Sequence, residues 1–438
     1  MSVRFACAGQ NTMLIELSVQ NFRSIRERQT FSMVAAPRLI KGKQNKFTPK
    51  VKGERFPALL KVAAIYGPNA SGKSTLVLAF DLLAKLAKQQ PATEKEPFNV
   101  TPFRFDKSLL NQPSIIEVHF IKNETRYSFE VALTRDRIVG EVLTMYRGGE
   151  PKELYGRRYV PAADGTHGSE KYEFADELEG GGELHRVWQR LTGPQTLFLT
   201  QAVANSSEEL TQLRTPREWL TSLLVVKSGM SAWGRLSQRL VAETPVLGDQ
   251  IASLLSDVDI PVTAIRAKLT QPKGGTDIEQ TQGDSLKPLT GSLTATVRTT
   301  LTHRTALGDA EFDFSEESDG TKNLFGFSLP WLASLSDSGP VPLMVVDELD
   351  SSLHPKLVES LIRKHVQGPP LCQLLFTTHD THLMDTKLLR RDQFWITDRD
   401  VNGATQLRSI HDFEGRESED VEKRYYEGRY RGLPFVRQ

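Results

Sequence analysis

The 438-residue chain carries 55 Lys and Arg against 54 Asp and Glu, a net charge of +1, so any nucleic-acid contact has to come from a local patch. Charged residues make up 25% and hydrophobic ones 39%, as in ordinary globular proteins, and the length predicts two or three domains or lobes. Two cysteines, Cys7 and Cys372, exclude a disulfide framework or a metal-type spacing. No run approaches about 18 apolar residues and no signal-peptide core opens the chain, so a cytoplasmic location without membrane contact is expected.

Residues 1–12 read as an N-terminal extension, because the first periodic segment opens at Met13. Leu14 to Phe22 alternates as a strand, with Ile15, Leu17 and Val19 on one face and Glu16, Ser18 and Gln20 on the other. Arg28 to Ala35 reads as a second strand. Residues 38–55 are basic and turn-rich: Arg38, Lys41, Lys43, Lys46, Lys50, Lys52 and Arg55 stand against Glu54 alone. Such a stretch is either a solvated loop or a phosphate-backbone surface.

Ala58 to Tyr66 is a mostly apolar run that leads into Gly67-Pro68-Asn69-Ala70-Ser71-Gly72-Lys73-Ser74-Thr75, a match to the P-loop pattern. A helix is expected from Thr75 to Lys85, with Leu76, Ala79, Leu82 and Leu83 on one face. Strand, glycine loop and helix form the context the motif needs. The glycines let backbone N–H groups turn in on a β-phosphate, and the helix N-terminus adds partial positive charge. Lys73 is expected to bridge the β- and γ-phosphates of ATP and Ser74 to ligate Mg²⁺. The predicted nucleotide-binding set is Gly67, Asn69, Ala70, Ser71, Gly72, Lys73, Ser74 and Thr75.

Ser114 to Ile121 and Arg126 to Leu133 read as a hairpin around Lys122-Asn123-Glu124, and Ile138 to Tyr146 and Arg158 to Val160 continue the β pattern. Residues 161–184 read as a Gly/Glu/Asp-rich loop. Leu184 to about Leu255 is helical in period, with Trp188, Leu191, Leu210, Leu213, Trp219, Leu220, Leu223 and Leu224 as core positions. Residues 271–291 read as a polar, mobile tip, followed by strands at Leu293 to Leu301 and Ala310 to Phe314. No heptads are sustained, which argues against coiled-coil arms.

Val341 to Val346 is a buried-strand run that ends in Asp347-Glu348, a Walker B pattern. Asp347 is expected in the Mg²⁺ shell, and Glu348 to polarise the attacking water. Lys73 and Asp347 lie about 270 residues apart, so the ATPase core is split in sequence. Glu317-Ser318-Asp319-Gly320-Thr321 precedes an apolar helix, which Ser318 or Thr321 would cap, with Gly320 allowing close phosphate approach. Downstream come Asp350-Ser351-Ser352-Leu353-His354-Pro355 and a strand from Leu374 to Thr377 that ends in Thr378-His379-Asp380.

In this order the motifs resemble the head domains of the ABC/SMC/RecF class of ATPases. The resemblance implies an α/β, ABC-type ATPase head with an N-terminal β-rich lobe, a P-loop core split in sequence and a helical insertion. It also implies the signature role for Ser318 and Gly320, a D-loop opening at Asp350, and His379 as the switch that senses the γ-phosphate. The signature keeps the hydroxyl and second glycine of the usual L-S-G-G-Q but departs from it otherwise, which argues against a transporter. No Q-loop glutamine is assigned.

Val19-Gln20-Asn21-Phe22-Arg23-Ser24-Ile25 is similar to the opening strand of RecF and OLD-type ATPases. Together with Tyr425-Tyr426-Glu427-Gly428-Arg429-Tyr430-Arg431-Gly432-Leu433-Pro434, the motifs resemble the AAA ATPases of abortive-infection systems, the RloA type, to which the ATPase subunit of the PARIS phage-defence system is similar. That resemblance covers both ends of the chain but not residues 150–290. It implies a sensor or scaffold that controls a separate effector, a Toprim-type nuclease or a toxin. It also implies a homodimer or higher homo-oligomer that sandwiches ATP between heads, with nucleic acid or a phage protein as trigger. The domains expected are 1–12, an extension; 13–160, the N-terminal ATPase lobe; 161–300, a helical insertion and tip; and 301–438, the C-terminal ATPase lobe.

Asp398-Arg399-Asp400 superficially fits the acid pair of a Toprim nuclease, but Asn402-Gly403 between two short strands reads as a hairpin turn. Only about 59 residues follow His379, too few for such a domain. His379 and His382 lack a third metal ligand nearby. The C-terminal Lys423, Arg424, Tyr425, Tyr426, Arg429, Tyr430 and Arg431 suit either a binding surface or a docked tail. Two rival readings stay open: a DNA-binding repair ATPase of the RecF kind, and a nucleotide-gated scaffold with little turnover.

Overall fold

The computed structural model describes residues 12–89, 96–162, 168–204, 206, 209–227, 231–258, 260–270, 296–336, 341–351, 353–417 and 419–433. The tip at 271–291 and all but the last residue of the 1–12 extension lie outside them. Thr12 itself already belongs to the first strand.

The chain divides into two compact units: residues 1–228, 333–351 and 358–438, and residues 229–332 with 352–357. The first unit opens with β1 (Thr12–Gln20) and β2 (Gln29–Ser32), then a minor pair, β3 (Lys46–Phe47) and β4 (Leu59–Leu60). β5 (Val62–Tyr66) leads into α1 (Lys73–Lys88). β6 (Ser114–Lys122), β7 (Thr125–Leu133), β8 (Ile138–Arg147), β9 (Glu150–Val160) and β10 (Ser169–Phe174) follow as a meander. These five strands join β1 and β2 in a seven-stranded antiparallel sheet ordered β10-β9-β8-β7-β6-β1-β2. The β6–β7 hairpin closes through Asn123 and Glu124, both at positive φ, the backbone that a two-residue turn of matching twist demands.

Two details of this sheet differ from the sequence reading. Ile15 does not share a face with Leu17 and Val19. The β1–β6 register shifts between Leu14 and Glu16, and this bulge sends Ile15 with Met13 to a small cluster beside Val51, Leu59 and Ile121. Leu14, Leu17 and Val19 enter the main core instead. The expected loop 161–184 contains β10, which pairs with β9 from Ser169 opposite Val160 to Phe174 opposite Tyr155.

α2 (Gly181–Leu191), α3 (Phe198–Ala204) and α4 (Thr211–Thr221) follow, then β11 (Leu224–Val226). Trp188, Leu210, Leu213, Trp219, Leu220 and Leu223 are buried as expected, but Leu191 is exposed and Leu224 is half-buried within β11. Trp219 stacks on Phe120 with centroids 4.2 Å apart, a contact worth about 1 kcal/mol beyond its area, and this fixes α4 on the antiparallel sheet. The helical stretch is thus interrupted by a strand, and residues 161–227 fall within the first unit.

The second unit comprises α5 (Ser231–Glu243), α6 (Pro245–Ser256) and a three-stranded antiparallel sheet of β12 (Val262–Thr270), β13 (Thr296–Thr305) and β14 (Gly308–Asp313). It also holds most of α7 (Asp319–Ser334).

The chain then completes the first unit with β15 (Leu343–Val346), most of α8 (Pro355–Gln367), β16 (Gln373–Thr377), β17 (Phe394–Arg399), β18 (Thr405–Ser409) and α9 (Val421–Tyr426). The second sheet runs β11-β15-β16-β5-β17-β18, parallel throughout except for the β17–β18 hairpin. Its central strands are buried end to end, which is why they read as continuous apolar runs. Gln373 ties the two sheets together, accepting from the Leu14 N–H and donating to the carbonyls of Leu14 and Leu60. The architecture is an α/β head: a β-rich lobe, and a P-loop sheet assembled from sequence-distant halves.

Candidate nucleotide site

β5, β15 and β16 are parallel, so their C-terminal ends lie along one edge of the sheet. The residues after β5 form the P-loop, those after β15 the acid pair, and those after β16 the Thr-His-Asp segment. Ligand sites of open α/β sheets form at this edge. The two sequence halves meet where Ser74 Oγ donates to Asp347 Oδ1 at 3.1 Å.

Gly67 has φ 148° and Gly72 φ 107°, and both need to be glycine. A Cβ on Gly67 would stand 2.4 Å from the Thr397 carbonyl, and one on Gly72 2.1 Å from Thr405 Oγ1. Lys73 is buried, and its ammonium rests on the carbonyls of Gly67 (2.8 Å) and Pro68 (3.2 Å). Burial lowers its pKa, against the pull of Asp347, Glu348 and Asp350. Ser71 turns its hydroxyl to Thr397 Oγ1 at 2.6 Å, away from the cleft, so only its backbone faces a ligand. The Thr75 hydroxyl lies 2.9 Å from Ser24 Oγ.

A cleft of about 320 Å³ is lined by Asn69, Ala70, Gly72, Lys73, Ser74 and Thr75 together with Glu348, His379, Arg23 and Ser24. Glu348 sits at φ 55°, a strained value for a non-glycine residue, held by its N–H on Thr377 Oγ1 (2.8 Å). The Thr377 hydroxyl in turn donates to Asp347 Oδ1 at 2.7 Å, and the Asp347 N–H bonds the Val226 carbonyl. His379 donates its N–H to Asp350 Oδ2 at 3.2 Å, so the predicted D-loop acid and switch residue touch within one chain.

Ser318 and Gly320 belong to the second unit, at the start of α7. There the Ser318 hydroxyl caps the helix by accepting from the Thr321 N–H at 3.1 Å. The preceding Glu317 pairs with His303 Nε2 at 2.7 Å.

Sequence reasoning assigned no role to Arg23, Ser24, Thr377, Thr397 or Thr405. The threonines lie on strands far from the P-loop in sequence, Thr377 ending β16, Thr397 within β17 and Thr405 opening β18, and nothing local marks them. Arg23 carried a signal, since a basic residue follows β1 directly in the Asn-Phe-Arg-Ser turn. No glutamine lines the cleft among the described residues.

The arrangement fits a nucleotide with Mg²⁺. Four polar atoms among the residues lining or adjoining the cleft, Arg23 Nε, Tyr66 Oη, Asp350 Oδ1 and Asp380 Oδ2, are buried without a hydrogen-bond partner among the described residues. No group of three or more His, Cys, Asp or Glu side chains that could hold a metal occurs among those residues. Mg²⁺ needs only one or two protein oxygens, which Ser74 and Asp347 offer, the rest of its shell coming from phosphate and water. Asp400 is a turn former, accepting from the N–H groups of Asn402 and Ala404, as a hairpin requires.

A family described as "AAA domain, putative AbiEii toxin, Type IV TA system" matches residues 62–178 and 223–385, more than half of the chain. The chain belongs to this family. The two matched segments carry the P-loop and the Walker B strand of this AAA domain, the halves joined by Ser74 and Asp347. No curated protein matches the sequence. Similar solved structures include an SMC head domain from Thermotoga maritima, at 15% identity and TM-score 0.39, covering 91% of this chain and 98% of that one. An SmcHead bound to the C-winged helix domain of ScpA has 12% identity and TM-score 0.43, with 91% and 97% covered. A third is an Smc head domain with an extended coiled coil, bound to the C-terminal domain of ScpA derived from Pyrococcus furiosus. It has 10% identity and TM-score 0.40, with 92% and 97% covered. Among the described residues no helix is long and apolar enough to cross a membrane.

Proposed function

We propose that this chain binds and hydrolyses ATP with Mg²⁺, as the sensor or scaffold subunit of a two-component anti-phage, abortive-infection system with a separate effector. The observation that carries the ATPase reading is the Ser74–Asp347 contact, with Glu348 and His379 on the same cleft. Lys73 would exchange the carbonyls of Gly67 and Pro68 for β- and γ-phosphate oxygens. Ser74 and Asp347 would hold Mg²⁺, which neutralises phosphate charge when bound. Glu348 accepts a proton from the attacking water, and His379 donates toward the γ-phosphate. Ser318 and Gly320 are proposed to close the site of a second copy, which makes the active unit a dimer or a larger homo-oligomer. The match to a family of toxin–antitoxin and Abi type supports the defence role. The turn-forming use of Asp400 supports placing the toxic or nucleolytic step on another protein.

The test is purification of the chain alone, followed by ATP turnover, nuclease and growth-arrest assays. Turnover that disappears in Glu348→Gln, without nuclease activity, supports the proposal. Nucleic-acid cleavage abolished by Asp398→Ala overturns it.

One observation favours nucleic acid as trigger, or the RecF-like alternative. Arg38, Lys41 and Lys43 are exposed on a loop clamped from below, where Arg390 donates to the carbonyls of Ala36, Leu39 and Lys41. A rigid, cationic loop suits a phosphate backbone, and steeply salt-dependent DNA binding, lost on charge reversal at these residues, tests it.

A further inference from the structure

The C-terminal Tyr-Tyr-Glu-Gly-Arg-Tyr-Arg-Gly-Leu segment has no role in the mechanism above, yet it closes on the nucleotide site. Asp420 caps α9, accepting from the Lys423 N–H at 2.9 Å. Gly428, Arg431 and Gly432 then take positive φ and reverse the chain. The buried Tyr425 hydroxyl locks the reversal by donating to the Gly432 carbonyl at 2.6 Å. A Cβ on Gly432 would stand 2.5 Å from Ile396 Cγ2, so the turn lies flat against β17. Tyr430 is buried against Phe413. This much is the docked tail. Tyr426 behaves differently: it is 62% exposed, and its hydroxyl is nevertheless engaged.

Its partner is Thr381, two residues after His379. Thr381 Oγ1 donates to Glu422 Oε1 at 2.9 Å and lies 2.9 Å from Tyr426 Oη. A hydroxyl has one proton, already given to the carboxylate, so the tyrosine is the donor to the threonine. The chain Tyr426 to Thr381 to Glu422 therefore runs in one direction, with both ends on α9. Asp380 caps the same turn, accepting from the His382 N–H at 3.1 Å. A cleft of about 430 Å³ separates Tyr425, Tyr426 and Leu433 from Gly67, Pro68 and Asn69 of the P-loop, and His379 and Thr381 also line it.

We infer that α9 and the turn after it position His379, with Thr381, Glu422 and Tyr426 as positioning residues for the hydrolytic step. The histidine itself is exposed, and on the α9 side its loop is held by the Thr381 hydroxyl, with a longer His382 Nδ1–Glu422 Oε1 contact at 3.5 Å beside it. Without that anchor the loop leaves the P-loop untouched but lets the imidazole drift, and misplacement of about 1 Å is enough to slow a reaction heavily. The inference rests on the ATPase reading of this cleft.

The experiment measures kcat and ATP affinity for Thr381→Val, Thr381→Ser, Tyr426→Phe, His379→Ala and the Thr381→Val/His379→Ala double variant of the full chain. Thr381→Val should lower kcat on the order of tenfold while ATP affinity stays unchanged. Thr381→Ser, which keeps the hydroxyl, should restore it. Tyr426→Phe, at an exposed position, should give a smaller fall of the same kind. In the His379→Ala background Thr381→Val should cost nothing more, because the residue it positions is gone; a merely structural effect would persist there. Wild-type turnover in Thr381→Val, or an undiminished loss in the double variant, overturns the inference. Wild-type turnover in His379→Ala sinks the switch reading itself, so the two failures are told apart.

Discussion

Two buried charged clusters in the first unit invite comparison. Around Glu141 and Arg157 every polar atom of both side chains is used. Glu141 accepts from the N–H groups of Phe198 (2.7 Å) and Leu199 (3.0 Å) and from Tyr155 Oη (2.8 Å). Arg157 donates to the carbonyls of Thr196 and Gly193 and to Glu170, and lies 3.8 Å from Glu141. At the P-loop edge, by contrast, Lys73 rests on two carbonyls of its own loop, Glu348 sits on strained backbone, and four nearby polar atoms are orphaned. In the first cluster the Glu141 and Arg157 side chains are themselves saturated and hold α3 and the loop before it on the antiparallel sheet. The second keeps bonding capacity in reserve, as a site that must accept a ligand does.

The sharpest way to break this contrast is to remove a charge from each. Glu348→Gln keeps shape and abolishes proton acceptance. Turnover should fall by a factor on the order of a hundred or more with ATP still bound, and the melting temperature should not fall. Lys73→Ala should instead lose ATP affinity, read by fluorescent-nucleotide binding. Near-normal turnover in Glu348→Gln would remove the functional side of the comparison. Arg157→Ala should do the opposite, leaving a buried carboxylate unpaired and costing about 3–5 kcal/mol of stability by denaturant titration. A variant that keeps full stability would show that the saturated cluster is not structural.

The same contrast explains what was legible in the sequence. Gly67 to Thr75 and Asp347-Glu348 could be read because phosphate-binding backbone demands glycine and hydroxyl residues at fixed spacing, and a buried parallel strand demands an apolar run. β11 could not be read, because its three residues sit in helical-period surroundings and become a strand only through pairing with β15. Ile15 was misplaced because a bulge breaks the period of two that the reading assumed. Thr397 and Thr405 contact the P-loop across more than 300 residues, and only the folded sheet brings them there. The capping of α7 by Ser318 could be anticipated from Ser and Thr at a helix start.

A third test concerns whether the reserve at the P-loop is completed by another copy. Mixed oligomers of Lys73→Ala and Ser318→Arg chains should regain part of the wild-type turnover, although each parent is inactive. In a mixed dimer with composite sites, one site carries both lesions and the other carries neither. No recovery in a verified mixed dimer would mean that each head is complete alone.

The smallest expected effect separates stability from turnover by pH. His365 on α8 is buried, with Nε2 2.9 Å from the Cys372 carbonyl. Burial pushes its pKa down to about 4, with Lys61 nearby adding a little in the same direction and the Cys372 carbonyl opposing. Between that value and the ordinary histidine range the unfolded chain binds a proton that the folded one refuses. The neutral imidazole's contribution is therefore intact above the unfolded pKa and is lost as pH falls toward the folded one. The loss should be at most about 3 kcal/mol, complete near pH 4. His365→Gln keeps a donor for the Cys372 carbonyl but cannot titrate. Denaturation midpoints at pH 7.5 and 4.5 should therefore diverge less in the variant than in the wild type, whereas ATP turnover at pH 7.5 should be the same in both. Equal divergence would mean that His365 takes up its proton alike in the folded and unfolded chain, so that its burial does not contribute to the pH dependence of stability.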